Sequence, residues 1–286
     1  MAWLKRAPVV LWVQDLWPEA LQSTGFVKNR WLLRMVGLAV RYIYCFSDSI
    51  LIQSEGFRAS VERLVNNKEK IRFYPNSAEN VLVRPATTHH DISLAKVIGQ
   101  SFSLVFAGNI GMAQSCETII KAAKLLQDVQ NIKFYLVGSG SMADSITKNI
   151  AANRLENVVM TGRVPAEDMD SIYASASVLL LTLRDDPALS STIPCKLQSY
   201  LAAGKPIIVC SNGESSDVLV KANAGLTCPA GDAEALAQAV LRLYEMLPEK
   251  RAHLGENGRK HFMAYYFLPT RVAELAAHFE DVVTHY

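Results

Sequence analysis

The residues best placed to do chemistry are a lysine and its neighbours in the segment SSTIPCKLQSYLAAGKP. Pro194 suits the opening turn of a helix, which puts Lys196 inside that turn, with Ser191 and Thr192 just ahead of it. A helix N-terminus presents unsatisfied N–H groups and the positive end of its dipole. With a lysine and two hydroxyls added, the arrangement suits a diphosphate. Arg184, which ends the run VLLLTLR before Asp185-Asp186-Pro187, supplies a second cation. A lysine in a first turn opposes the dipole, so the competing reading, a solvated surface lysine, must account for an unfavourable placement.

Three more loops share the strand–loop–helix setting. Gly108-Asn109-Ile110-Gly111 follows the apolar run SLVFA, and Val137-Gly138-Ser139-Gly140 follows IKFYL. Missing side chains there would let backbone N–H groups approach a phosphate; a plain tight turn is the alternative. In Asn212-Gly213-Glu214-Ser215-Ser216, Glu214 either accepts from sugar hydroxyls or simply favours the start of its helix.

Such loops need a sheet to carry them. From SLVFAG onward, apolar strands (IKFYLVG, VVMTG, VLLLTL, PIIVC) alternate with helical segments, the pattern of an α/β, doubly wound parallel sheet with right-handed crossovers. Ligands bind such sheets beyond the carboxyl ends of the strands, where these loops lie. Upstream, PVVLWV reads as a buried strand delivering Asp15 to a sheet edge, and SDSILIQS and IRFYPNS as two more. The polar stretch NSAENVLVRPATTHHD lacks periodicity and is read as a linker. The tail from Asp232 reads as amphipathic helices broken near Pro248 and Pro269.

With half of its 286 residues apolar and a fifth charged, the chain can bury a large core. A net charge of +2 gives no general pull toward nucleic acid. Five scattered cysteines without a C-x-x-C pair argue against a disulfide framework or zinc knuckle and suit a reducing cytoplasm. Pro8 interrupts the short apolar N-terminus and no cleavage site follows, so no secretory leader is expected. The histidines do not fall at ligand spacings, and neither a G-x-x-x-x-G-K-[ST] loop nor a G-x-S-x-G elbow is present. From Lys28 to Arg41, basic residues alternate with Trp31, Leu32 and other apolar ones. That mixture suits either an anionic membrane surface or an ordinary helix with snorkelling arginines, and it is too short to span a bilayer.

The succession QDLWPE, YPNS, FAGNIG, YLVGSGS, VVMTGRVP, LRDDP, STIPCKLQSYLAAGKPII, NGESS and AGLTCPAGDAEALAQAV resembles glycosyltransferase family 4. The likeness is to its bacterial branch that builds O-antigen, capsule and colanic-acid type polysaccharides, N-acetyl-fucosaminyl transferases included. It covers nearly all of the chain, and its motifs are specific in combination rather than singly. The resemblance implies a GT-B fold of two Rossmann-like domains facing a cleft, the N-terminal one incomplete. The expected division is residues 1–78 for the acceptor side, 79–100 for the linker, 101–265 for the nucleotide-sugar domain, and 266–286 for a helix packing back on the first domain.

The resemblance also implies roles. Gly108, Asn109 and Gly111, with Gly138, would lie near the donor diphosphate, and Gly162-Arg163-Val164 would face the base. Arg184 and Lys196 would be the cations at the diphosphate, Glu214 a polar donor contact, and Asp15 the catalytic-loop position. Family members often carry an E-x7-E pair where Ser191 and Ser199 stand, and a lysine where Met112 stands. They also carry a further stretch before the QDLWPE strand. The expected activity is retaining, metal-independent transfer of a hexose or N-acetylhexosamine from a UDP-sugar to a lipid-linked saccharide, in the cytoplasm at the inner face of the membrane. The alternative is a split or inactive chain that binds a nucleotide-sugar and needs a partner.

Overall fold

The computed structural model describes residues 7–23, 29–78 and 92–286. Its strands are β1 (Val10–Val13), β2 (Ser49–Ile52), β3 (Ile71–Phe73), β4 (Phe102–Ala107), β5 (Ile132–Val137), β6 (Val158–Gly162), β7 (Val178–Thr182), β8 (Ile207–Cys210) and β9 (Gly225–Cys228). The helices are α1 (Glu19–Ser23), α2 (Arg30–Phe46), α3 (Arg58–Glu62), α4 (Ile92–Ile98), α5 (Cys116–Leu125), α6 (Ala143–Ala152), α7 (Met169–Ser175), α8 (Pro187–Ser190), α9 (Cys195–Ala203), α10 (Glu214–Ala222), α11 (Ala233–Glu245), α12 (Pro248–Tyr265) and α13 (Leu268–Thr284). The chain forms two compact units, one of Met1–Ser77, Asp186–Ile193 and Tyr265–Tyr286, the other of Ala78–Asp185 and Pro194–Ala264.

The first unit is built on a parallel sheet in the order β1-β2-β3. Strand β2 (SILI) is buried throughout, and its Ile50 and Ile52 pack with Phe57 and Val61 in a core shut off from solvent. Helix α13 is tied to this sheet by polar contacts. The Tyr74 hydroxyl donates to Arg271 O at 2.9 Å, Ser49 Oγ and His278 Nε2 lie 2.8 Å apart, and Arg72 pairs with Asp281 at 3.1 Å. Asp186 caps α8, its side chain accepting from Ala188 N at 2.9 Å, and Pro187 takes the N1 position.

The second unit holds a six-stranded parallel sheet in the order β6-β5-β4-β7-β8-β9. Strands β4, β7 and β8 are buried along their whole length, as they must be with helices on both faces, which is why they read as nearly continuous apolar runs, with Ser103 and Thr182 as the polar members. Helices α5 and α11 cover one face, with Ile119, Ala122, Ala123, Leu236, Val240 and Leu243 in the core.

Several expectations need correction. Residues 92–98, read as linker, form helix α4, whose Ala95 and Ile98 face the interior at i, i+3 spacing; residues 79–91 of that linker lie outside the described residues. Segment Asp186–Ile193, assigned to the nucleotide-sugar domain, belongs to the first unit, where α8 packs on α1. The expected breaks near Pro248 and Pro269 are present: α11 ends at Glu245 and α12 opens on Pro248, at N1 where proline is tolerated, and α12 ends at Tyr265 before α13 starts at Leu268. Strand β9 was not anticipated.

Candidate functional site

The doubly wound sheet reverses its winding between β4 and β7, and there the two strands part. They pair only at Leu104↔Val178 and Val105↔Leu179, so the last residues of β4 have no strand partner on that side. Tyr200 of α9 takes the place of one. Its hydroxyl accepts from Ala107 N at 2.9 Å and reaches back to Ala107 O at 3.3 Å, in a fully buried position with its ring edge-on to Tyr173. Tyr200 stands one helical turn beyond Lys196, so the same face of α9 presents both. Substitution Tyr200→Phe leaves the Ala107 N–H buried without an acceptor, and a loss of about 1–3 kcal/mol is expected. Urea unfolding checks this; an unchanged midpoint at unchanged slope would contradict the role given to the hydroxyl.

Strands β4, β5 and β6 end level with one another, the first two followed by Gly108 and Gly138 and the third ending in Gly162. Gly108 N donates to Val137 O at 2.9 Å and Gly138 N to Gly162 O at 2.8 Å, and the φ angles of these glycines are +131°, +141° and +74°. A Cβ on Gly138 would stand 1.9 Å from Gly108 O, and one on Gly140 would stand 2.3 Å from Ile110 O. The close approach of the two loops therefore requires glycine at both places. Beyond the strand ends opens a cavity of about 650 Å³, whose lining includes Gly108, Asn109, Gly138, Arg163, Cys195 and Lys196. The charged residues in that lining, Arg163 and Lys196, are both cationic.

Lys196 is the unusual member. Its Nζ is out of contact with solvent and has no hydrogen-bond partner among the described residues. It lies 4.1 Å above the ring of Phe106, and 3.2 Å from where a Gly108 side chain would begin. Burial pulls its pKa from 10.5 down to about 8. The reading as a solvated surface lysine is therefore incorrect: the side chain runs inward to the switch point. An ammonium held over an aromatic face recovers part of its lost hydration. An anion in the cavity would supply the rest, and α9 begins there without any side-chain cap.

The structure brings Gly108, Asn109, Gly138, Arg163 and Lys196 to one cavity. It does not use the first glycine loop as the sequence suggests. Gly108 N, Ile110 N and Gly111 N are all engaged, with Val137 O, Ser139 O and the Gln114 side chain respectively. The loop therefore contributes room for a ligand in place of three amide donors. Gly111, Arg184 and Glu214 are not among the lining residues; Arg184 N bonds Ala113 O, and Glu214 is the first residue of α10, where a carboxylate suits the dipole. Ser191 and Thr192 belong to the first unit, and both hydroxyls donate to Ala188 O, at 3.0 and 2.9 Å. Asp15 is exposed, two residues past the carboxyl end of β1. Sequence reasoning missed Tyr200 and Phe106. The i, i+4 spacing of Tyr200 to Lys196 was the available signal. Among the described residues, no three His, Cys, Asp or Glu side chains gather as a metal site would need.

Residues 101–246, just over half of the chain, match the model of the family described as "Glycosyl transferases group 1". The protein named "Probable glycosyltransferase WbjE" of Pseudomonas aeruginosa is 26% identical over 242 residues, which are 83% of this chain and 60% of WbjE. The amylovoran biosynthesis glycosyltransferase AmsK of Erwinia amylovora is 23% identical over 161 residues, 54% of this chain and 38% of AmsK. The chain thus spans less than two thirds of the length of either relative. Among solved structures, Anabaena HepE in complex with UDP and glucose superposes with a TM-score of 0.76 at 14% identity, over 98% of this chain and 73% of HepE, a likeness of fold. With the family model covering the strands and loops of the cavity, the chain belongs to the group 1 glycosyl transferases.

Proposed function

We propose that the cavity of the second unit holds the diphosphate of a nucleotide-sugar, a UDP-sugar, for retaining transfer of a hexose or N-acetylhexosamine, N-acetylfucosaminyl-type donors included. The acceptor in this reading is a lipid-linked saccharide of bacterial surface polysaccharide synthesis, lipopolysaccharide or capsule. One observation carries it: the Lys196 ammonium, buried and without a counter-charge, faces a cavity whose only charged lining residues are cations. The UDP and glucose bound to HepE and the polysaccharide role in AmsK's name support the choice of donor and pathway class.

As the bond from sugar to diphosphate breaks, negative charge grows on the leaving oxygen. A preorganised cation in a water-poor site stabilises that charge without reorganisation and without metal. Arg163 adds a second cation from the cavity wall. Incubating the chain with labelled UDP-hexose or UDP-N-acetylhexosamine and lipid-linked saccharide should place label in the lipid phase, with the donor's anomeric configuration kept. Failure to bind any UDP-sugar would overturn the reading; binding without transfer would favour the alternative of a donor-binding chain that needs a partner.

The same reading places the protein peripherally at the cytoplasmic face of an anionic membrane. Among the described residues no helix is long and apolar enough to cross one. Helix α2, however, leaves Trp31, Met35, Leu38, Tyr42 and Phe46 exposed along one arc, the first at 67% and Phe46 at 66%. Arg30, Arg34 and Arg41 fall on a neighbouring stripe at i, i+4, i+11, and the helix has no acidic residue. An in-plane helix of this kind sets apolar side chains into the interface and arginines at phosphate level. Lys28, the remaining basic residue of that segment, lies outside the described residues. With each arginine worth about 1 kcal/mol near such a surface, the double substitution Arg34→Gln/Arg41→Gln should cut partitioning to phosphatidylglycerol vesicles roughly 30-fold. Equal co-sedimentation with neutral and anionic vesicles would remove this part of the proposal.

A further inference from the structure

Cys195 has no part in the reaction as described, yet it stands in the wall of the donor cavity. It is the first residue of α9, is exposed, and lines the cavity beside Lys196. Of the other four cysteines, Cys116, Cys210 and Cys228 are buried, and the exposed Cys45 lies on α2 in the first unit. We infer that Cys195 is a modification site: a mixed disulfide with an anionic low-molecular-weight disulfide, such as glutathione disulfide, closes the cavity to the nucleotide-sugar, and bound nucleotide shields the thiol. This rests on the reading that the cavity takes a nucleoside diphosphate.

A cysteine at a helix start would not by itself mark a site. The second observation is its neighbour. Lys196 holds an ammonium with no hydrogen-bond partner, shut off from solvent, against the same cavity, and Arg163 adds to its charge. The field that draws a diphosphate also draws the carboxylates of glutathione. About 650 Å³ of space admits either ligand, but both would need the volume in front of Lys196. Nucleotide and adduct therefore exclude each other.

The chemistry is thiol–disulfide exchange. The Cys195 thiol gives up its proton and its sulfur attacks one sulfur of the small disulfide. A new S–S bond forms as the old one breaks, and the departing thiolate takes up a proton. The protein thiol is oxidised, half of the reagent is reduced, and a free thiol in excess reverses the step.

The test uses the full chain, with Cys45 as internal reference. Iodoacetamide labelling of both thiols is followed by peptide mass spectrometry, with and without UDP at about ten times its calorimetric Kd, an occupancy that leaves roughly a tenth of the sites open. Labelling of Cys195 should slow about tenfold while that of Cys45 is unchanged. Treatment of the Cys45→Ser protein with glutathione disulfide should abolish UDP binding, and dithiothreitol should restore it. Cys195→Ser, compared with its own untreated form, should show no loss. If UDP binds but Cys195 labels at an unchanged rate, or if the adduct leaves UDP affinity intact, this inference falls while the proposed function stands. If UDP does not bind the untreated chain, the proposed function falls and takes this inference with it.

Discussion

Lys196→Met should yield a protein that folds more stably than the wild type and has lost its donor chemistry. The wild-type chain holds an ammonium out of water without a hydrogen-bond partner, and its pKa falls from 10.5 to about 8 as a result. At about 1.4 kcal/mol per tenfold change, the charged form costs the folded state roughly 2–4 kcal/mol near neutral pH. Methionine keeps most of the apolar stem and removes the charge, so thermal or urea unfolding should show a gain of about that size. The gain should also depend on pH in a defined way. Between pH 8 and 10.5 the unfolded chain binds the lysine proton that the folded chain has released, so wild-type stability rises across that window. The difference between variant and wild type is thus fully present below pH 8 and fades toward pH 10.5. Turnover should fall by about 10²- to 10³-fold, the scale for losing one preorganised group at a developing charge. A variant less stable than wild type, or one with normal turnover, would contradict the placement of this ammonium.

The second large effect concerns the glycine-lined floor of the cavity. Gly138→Ala puts a methyl group 1.9 Å from Gly108 O at a φ of +141°, where the obstacle is backbone and no rotamer change relieves it. Strained backbone and overpacking together should cost roughly 3–5 kcal/mol, a fall in Tm on the order of 10 °C for a unit of this size. Relief by separating the two loops would also move Gly108 from Lys196, so UDP binding should be lost with the stability. Gly162→Ala is the control. Its φ is +74° but nothing lies within 4 Å of the added atom, so only the left-handed conformation matters, about 1–2 kcal/mol. Equal destabilisation by the two substitutions would show that conformation alone, not the meeting of the loops, accounts for the glycines.

Much of the second unit was legible in its sequence because β4, β7 and β8 are buried on both faces and separated by amphipathic helices. Short elements were not. β9 (GLTC) is four residues with a glycine, and that glycine is needed because a Cβ would meet Ile207 O at 1.7 Å, a constraint set by the adjacent strand β8 and not by the local sequence. Helix α4 was hidden because it is only 7 residues long and adjoins a polar stretch. At the site, Lys196 could be found from its place after Pro194, but its burial could not. The ring beneath it, Phe106, and the glycine beside it, Gly108, come from β4 and its loop, and only the sheet order brings them under α9. The amides of the first glycine loop misled for the opposite reason. Their local sequence fits a phosphate loop, while Val137 O and Ser139 O on the neighbouring strand and loop take up the N–H groups.

The most direct test of the lysine–diphosphate contact is proton uptake. An anion seated against Lys196 raises the pKa of its ammonium, so near pH 8, where the free protein is half protonated there, UDP binding should draw in about half a proton per site. Calorimetric titration of the chain with UDP at pH 8, in buffers of widely different ionisation enthalpy, measures that number. Uptake of about half a proton in the wild type and none in Lys196→Met is the result expected. UDP binding with no proton uptake, or with the same uptake in both proteins, would show that the diphosphate does not meet this ammonium.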